Sequence, residues 1–198
     1  MKFKTIDIEA DGLSAKVNQK LFPEGNHFDP GSVIWCVTVC DQDYRTVTLV
    51  KKLPETPRLV KPGYYTKAVH YKDTTVPESV DGHRVVEFTD MKEFIRNICS
   101  CIYGKVPVYC KGYWDGKELY NYDRMVLEAN LDRYGCIGRT VAGKLEAVNP
   151  TRWEETPRQV HTGQFVDNRE YMVNGIRHNI ADAVQLASII NNNEVRHG

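Results

Sequence analysis

The stretch K-F-K-T-I-D-I-E-A, residues 2–10, carries the strongest indication of the fold. Its apolar positions, among them Ile6 and Ile8, predict a β-strand. Side chains alternate between the two faces of a strand, so Asp7 and Glu9 are expected on the same face of the sheet. The two carboxylates can therefore converge on one ion, although an isolated D-x-E pattern is more typical of a solvated strand face.

The segments after this strand predict a mixed α/β fold. Apolar runs of strand type include a hairpin, and apolar residues at helical spacing indicate three helices, the first capped by Thr89 or Asp90. Two irregular, proline-containing stretches, about 51–88 and 136–170, are interpreted as insertions. The predicted elements are strands 33–39, 44–50 and 106–110 and helices 91–102, 121–133 and 179–192.

Length and composition suit one domain over residues 1–198. Lys plus Arg and Asp plus Glu both number 26, which excludes the broad basic surface of a general nucleic-acid coat protein. The six cysteines show no zinc-site spacing, so we expect buried, reduced thiols. The chain has no apolar signal core and no run of about 20 apolar residues, so we expect a cytoplasmic protein without membrane partners.

The first motif continues beyond the strand as D-I-E-A-D-G-L, residues 7–13, where Gly12 permits a tight turn. This motif resembles the first motif of the DEDD 3′-5′ exonucleases of the ribonuclease H-like superfamily, which includes polymerase proofreading domains and RNase T-like enzymes. Ala10, together with the later I-W-C at 34–36, is similar to the proofreading domains of phage family A polymerases. The resemblance implies a ribonuclease H-like mixed β-sheet flanked by helices.

A second motif follows the predicted strand 106–110. Asn121 and Asp123, in Y-N-Y-D, match the family's Asn and its Phe-Asp or Tyr-Asp at a helix start. The segment K-G-Y-W-D-G-K-E-L, residues 111–119, is longer than the usual link and is interpreted as a substrate-facing loop. An Asp at such a position is, on its own, more typical of a helix cap or a dipole partner.

A third motif, R-H-N-I-A-D-A at residues 177–183, resembles the general base and last aspartate of the family's His-bearing branch, DEDDh. His178 and Asp182 are four positions apart, so a helix places them on one face. Three residues separate them, which is the spacing of the Tyr-bearing branch, whereas four are usual with His. Taken singly, such a histidine is more typical of a structural or solvated side chain.

The resemblance implies a two-metal phosphodiesterase. Asp7, Glu9, Asp123 and Asp182 would hold two Mg²⁺ or Mn²⁺ ions, since carboxylate oxygens favour these metals over zinc. His178 would take the proton of the attacking water, and nucleoside 5′-monophosphates would be released from the 3′ end of single-stranded DNA or RNA. The residues expected to contact the substrate are Ala10, Gly12, Leu13, Trp114 and Asn121.

Other interpretations stay open at this point. A ribonuclease H-like module that binds nucleic acid or protein without catalysis would keep the same fold, although every acidic motif position is filled. A small-substrate phosphodiesterase or an oligoribonuclease would use the same metal centre. The sequence does not distinguish DNA from RNA, or a monomer from a homodimer or a partner of a polymerase.

Overall fold

A computed structural model of the chain describes residues 2–11, 20–21, 28–52, 59–65, 75–114, 119–134, 139–154 and 168–196. The strands of these residues are β1 (Lys4–Asp11), β2 (Val33–Asp41), β3 (Thr46–Lys51), β4 (Leu59–Lys61), β5 (Tyr64–Tyr65), β6 (Ser79–Val80), β7 (His83–Phe88), β8 (Val108–Lys111), β9 (Tyr113–Trp114), β10 (Leu119–Tyr120), β11 (Leu145–Pro150) and β12 (Val195–Arg196). The helices are α1 (Met91–Ile102), α2 (Tyr122–Arg133), α3 (Arg139–Ala142) and α4 (Asn168–Asn191).

One mixed sheet positions the later site, with the strand order β12-β11-β8-β1-β2-β3-β7-β6. Strand β1 pairs antiparallel with β2, which pairs antiparallel with β3, as the predicted hairpin requires. On its other side, β1 pairs parallel with β8, and β8 pairs parallel with β11. The predicted fold class is confirmed, because a mixed sheet flanked by helices in this arrangement is compatible with the ribonuclease H-like α/β fold.

Alternation along β1 separates an apolar face from a polar one. Ile6 and Ile8 are buried in a core shared with α1 and α2. On the opposite face, the Thr5 hydroxyl donates a 2.7 Å hydrogen bond to the Ala183 carbonyl of α4. Asp7 and Glu9, on the same face as Thr5, therefore face α4.

Two helical layers cover the sheet. Helix α1 begins where the Asp90 carboxylate accepts a hydrogen bond from the Glu93 amide at 2.8 Å, which is one of the two predicted caps. Phe94 and its neighbours on α1 share one core with Leu127 of α2. Helix α4 covers the other face, where Ile176 lies in a separate buried cluster. Burial of each such side chain contributes about 1.5–3 kcal/mol to folding.

A β-bulge in β2 lies at Trp35, which packs against α4. Glu9 pairs with Cys36 and Ala10 with Ile34, so Trp35 is an extra residue on β2. Its indole is 4% exposed and packs under α4 against Gly175, where a Cβ atom would lie 2.7 Å from the Trp35 Cη2 atom. The glycine therefore sets how near the helix approaches β2.

The structure corrects three sequence predictions. The irregular insertion at 51–88 ends in strand β7, which pairs parallel with β3. The insertion at 136–170 contains α3 and the sheet strand β11. The last helix was expected from 179 but begins at Asn168. Both missed strands are short and carry charged residues among few apolar ones, so neither shows a clear period of two.

The described cysteines are free thiols, and Cys36, Cys40 and Cys110 are buried as predicted, whereas Cys99 and Cys101 are only partly buried and Cys136 lies outside the described residues. Among the described helices, none combines the length and the apolar character needed to cross a bilayer.

Candidate active site

Four carboxylates from three elements form a group that we call the acidic cluster, comprising Asp7, Glu9, Asp123 and Asp182. Strand β1 supplies the first two, the first turn of α2 the third, and α4 the fourth. Strands β2 and β3 lie to one side of β1, and β8 and β11 to the other. Ligands of open α/β sheets bind at such points, where the strand order changes direction beyond the carboxyl ends of strands.

The amino terminus of α2 is built around Asn121. The Asn121 Oδ1 atom accepts a 3.0 Å hydrogen bond from the Arg124 amide, and its Nδ2 atom donates to the Leu145 carbonyl at 3.2 Å. This cap joins α2 to β11 and holds the Asp123 side chain, which is 8% exposed, in the first helical turn. The positive end of the helix dipole favours a carboxylate there.

Helix α4 contributes a histidine beside two carboxylates. The His178 Nε2 atom lies 3.5 Å from Glu9 Oε1 and 3.7 Å from Asp182 Oδ2. His178 and Asp182 are one helical turn apart, as their spacing predicts, and their side chains are 11% and 8% exposed. The imidazole therefore lies within the acidic cluster rather than on the solvated side of the helix.

The carboxylates of the acidic cluster raise one another's pKa values. Burial raises the pKa of Asp7 well above its usual value of 3.8, and the negative charges of the other three carboxylates raise it further. Burial also raises the pKa of Asp123, as do the charges of Glu9 and Asp182. Without a counter-charge, the cluster is thus strained by desolvation and mutual repulsion.

The donor set of the acidic cluster fits divalent metal ions. Carboxylate oxygens are the ligands that Mg²⁺ and Mn²⁺ prefer, and such ions would offset the repulsion that raises these pKa values. In the part of the chain that the structure describes, no three His, Cys, Asp or Glu side chains are arranged as a formed metal site. The assignment of divalent metal ions to the acidic cluster therefore depends on the chemistry of its oxygen donors and on their proximity.

A cationic and aromatic surface, formed by Lys111, Tyr113 and Trp153, is connected to the cluster through Lys111. The positive charge of Lys111 lowers the pKa of Asp123, against the larger effect of burial. The Lys111 Nζ atom lies 3.8 Å from the centre of the Trp153 ring and 5.2 Å from that of Tyr113. Tyr113 is 48% exposed, and Trp114, the next residue of β9, is 56% exposed.

The structure thus brings the five predicted catalytic side chains together: the acidic cluster and His178. Of the predicted substrate residues, Ala10 lies in β1 at the bulge, and Trp114 lies in β9. The Asn121 amide is engaged in the cap, so its contact with substrate stays a prediction. Gly12 and Leu13 lie outside the described residues.

Sequence reasoning missed Asn179, whose Nδ2 atom donates a 2.5 Å hydrogen bond to Asp7 Oδ2. The one sequence signal for Asn179 was that it follows His178. A helix turns about 100° per residue, so neighbouring side chains can contact different parts of the same site.

Comparison with known proteins assigns no family. No family model matches the chain, and no curated protein matches it with significant similarity. The functional interpretation therefore depends on the geometry above and on the three sequence motifs.

Proposed function

We propose that this protein is a metal-dependent 3′-5′ exonuclease that hydrolyses single-stranded DNA or RNA to nucleoside 5′-monophosphates. The observation that carries the proposal is the convergence of the acidic cluster and His178 at the switch point of the sheet. The 3′-to-5′ direction rests on the motif resemblance, because a metal-carboxylate centre does not by itself select a chain end.

The acidic cluster is suited to hold two Mg²⁺ or Mn²⁺ ions through its oxygens. When bound, such ions lower the pKa of the attacking water, neutralise the phosphate and stabilise the leaving 3′ oxygen. The raised pKa values of Asp7 and Asp123 support this assignment, because buried, mutually repelling carboxylates are characteristic of functional sites.

His178 is suited to accept the proton of the attacking water. Its imidazole is nearly buried, and both Glu9 and Asp182 lie within 4 Å of its Nε2 atom. These carboxylates restrict the orientation of the ring and stabilise the imidazolium that forms when the proton arrives. His178 can thus serve as a general base without leaving the cluster.

The cationic and aromatic surface supports a polymeric, single-stranded substrate. Unstacked bases can lie on exposed rings such as Trp114, and stacking of this kind contributes about 1–3 kcal/mol per base without reading sequence. Lys111, whose Nζ atom lies 3.8 Å from the centre of the Trp153 ring and whose charge lowers the pKa of Asp123, is suited to contact a backbone phosphate. The surface does not identify the sugar, so the substrate class includes both DNA and RNA.

The test is digestion of 5′-labelled single-stranded DNA and RNA with Mg²⁺, with EDTA, and with variants. Asp7→Asn should abolish cleavage, whereas Asp43→Asn, in the exposed β2–β3 turn, should cleave like the wild type. A Mg²⁺-dependent ladder shrinking from the 3′ end supports the proposal. Cleavage that survives Asp7→Asn refutes the proposed catalytic site. Folded protein that binds the DNA or RNA oligonucleotide but cleaves neither identifies a non-catalytic binding module instead.

A further inference from the structure

The Asn179 side chain extends from α4 towards the central strands β1 and β2. It is fully buried, and it makes hydrogen bonds in two directions. Its Nδ2 atom donates to Asp7 Oδ2 at 2.5 Å, and its Oδ1 atom accepts a weaker 3.5 Å hydrogen bond from the Cys36 thiol. A buried amide that joins a strand carboxylate to a strand thiol has little rotational freedom.

The orientation of this amide follows from the chemistry of its neighbours. An amide nitrogen donates hydrogen bonds and an amide oxygen accepts them, so the NH₂ group of Asn179 faces Asp7 Oδ2 and the amide oxygen faces the Cys36 thiol. A thiol is a weak donor, in agreement with the longer 3.5 Å contact from Cys36 Sγ to Asn179 Oδ1.

One turn of α4 reaches three members of the acidic cluster in different ways. His178 faces Glu9, Asn179 faces Asp7, and Asp182 supplies a carboxylate of its own. Gly175 lies one turn earlier and packs directly on Trp35, which fixes the depth of the helix. Asn179 is thus anchored on a rigid element.

We propose that Asn179 is a positioning residue that fixes the rotation of the Asp7 carboxylate for metal binding. The inference rests on the proposed function, because it assigns Asn179 to the metal site of that function. Each carboxylate oxygen can accept about two hydrogen bonds or ligands, so one bond to Oδ2 leaves capacity on Oδ2 and all of Oδ1. Partners of this kind that orient a ligand typically change metal affinity or activity 10- to 100-fold.

The primary experiment is calorimetric titration of Mn²⁺ into folded protein without nucleic acid. Asn179→Leu, which has a similar shape and no donor, should weaken Mn²⁺ binding about 10- to 100-fold. The Mg²⁺ concentration needed for half-maximal cleavage should rise by a similar factor, while KM for nucleic acid at saturating Mg²⁺ stays unchanged. Should Asn179→Leu not fold, Asn179→Ser, whose hydroxyl is too short to reach Asp7, gives the same comparison.

Two controls separate positioning from stability. Cys36→Ala removes the other partner of the amide and should reduce Mn²⁺ affinity far less. Asn130→Ala alters a second fully buried asparagine, whose hydrogen bonds go to backbone atoms of Ser32, Ile34 and Val126. It should lower Tm without changing Mn²⁺ affinity. A folded Asn179 variant with wild-type Mn²⁺ affinity overturns the inference.

Failure of this inference is distinguishable from failure of the proposed function. If the wild type binds Mn²⁺ in an Asn179-dependent way but cleaves no strand, the positioning role holds and the exonuclease proposal is wrong. If Asp7→Asn binds Mn²⁺ as the wild type does, the metal site itself is wrong, and the role of Asn179 is refuted with it. Cleavage lost in Asp7→Asn but unaffected in Asn179→Leu at every Mg²⁺ concentration refutes only the positioning role.

Discussion

Gly175 of α4 packs directly on Trp35 of β2, and a methyl group at Gly175 would lie 2.7 Å from the Trp35 Cη2 atom. The same helix carries Asp182 and His178, and the His178 Nε2 atom lies 3.5 Å from Glu9 Oε1 of β1. The glycine therefore has a packing role in a helix whose propensity it lowers.

Gly175→Ala should destabilise the protein by about 1–3 kcal/mol through overpacking, although the same change in an open helix stabilises by about 1 kcal/mol. Urea denaturation measures the difference. In a Trp35→Phe background, the smaller ring should make the Gly175→Ala cost smaller. Equal costs in both backgrounds would show that the two residues do not constrain each other.

Asp123→Asn should stabilise the metal-free protein at pH 8 while abolishing cleavage. The pKa of Asp123 is raised in the folded state, so the folded protein holds this proton more tightly than the unfolded chain does. Stability is therefore lost as pH rises from the usual value of 3.8 through the folded pKa. Asp123→Asn should be more stable than the wild type at pH 8, and this difference in stability should shrink as the pH falls.

Thermal denaturation in EDTA at pH 5 and pH 8 checks this sign. The Tm is expected to rise by about 2–4 °C for each kcal/mol of repulsion that the variant removes. Asp132→Asn, at an exposed position of the same helix, serves as the control and should change stability by less than about 0.5 kcal/mol. A metal-free Asp123→Asn protein that melts below the wild type at pH 8 would contradict the assigned repulsion.

Trp114→Ala should raise KM for long single strands by about 5- to 150-fold, since loss of one stacked base costs about 1–3 kcal/mol. The kcat at saturating substrate should change little, because the ring is outside the acidic cluster. Tyr103→Ala is the matched control, as Tyr103 is 73% exposed but lies just before β8 begins, away from the carboxyl end of that strand. Equal KM values for wild type and Trp114→Ala would exclude the ring from the substrate path.

Asn130→Ala should lower the free energy of unfolding by about 2–3 kcal/mol. Its Nδ2 atom donates to the Ser32 and Val126 carbonyls at 2.9 and 2.8 Å, and its Oδ1 atom accepts from the Ile34 amide at 3.3 Å. Truncation leaves buried polar groups with fewer partners, and each costs about 1–3 kcal/mol. Chemical denaturation is the measurement, and a change below about 0.5 kcal/mol would mean that solvent replaces these bonds.

The sequence predicts the parts of this fold whose patterns are local. The strand around Ile6, the cap at Asp90 and the repeat of α1 all follow from neighbouring residues, and each is confirmed. Strands β7 and β11 were missed because their partners, β3 and β8, are distant in the chain and supply the pairing that short, partly charged segments do not specify.

The residues of the candidate site were likewise predictable where their spacing in the sequence is local. Asp7 and Glu9 were placed on one face by the period of two, and His178 and Asp182 by the helical turn, and the structure brings these pairs together. The roles of these residues in catalysis stay predictions. Asn179 was missed because a buried amide has no motif, and its partners Asp7 and Cys36 become neighbours only when α4 docks.

The bond between Asn179 and Asp7 joins positions that lie 172 residues apart in the chain. A ribosome adds about 5–20 residues per second, so β1 is made roughly 10–30 s before α4 is complete. During that interval a nascent chain carries only part of the acidic cluster and lacks His178. A nuclease assembled in this order would stay inactive beside its own messenger RNA until nearly the whole domain has been synthesised and folded.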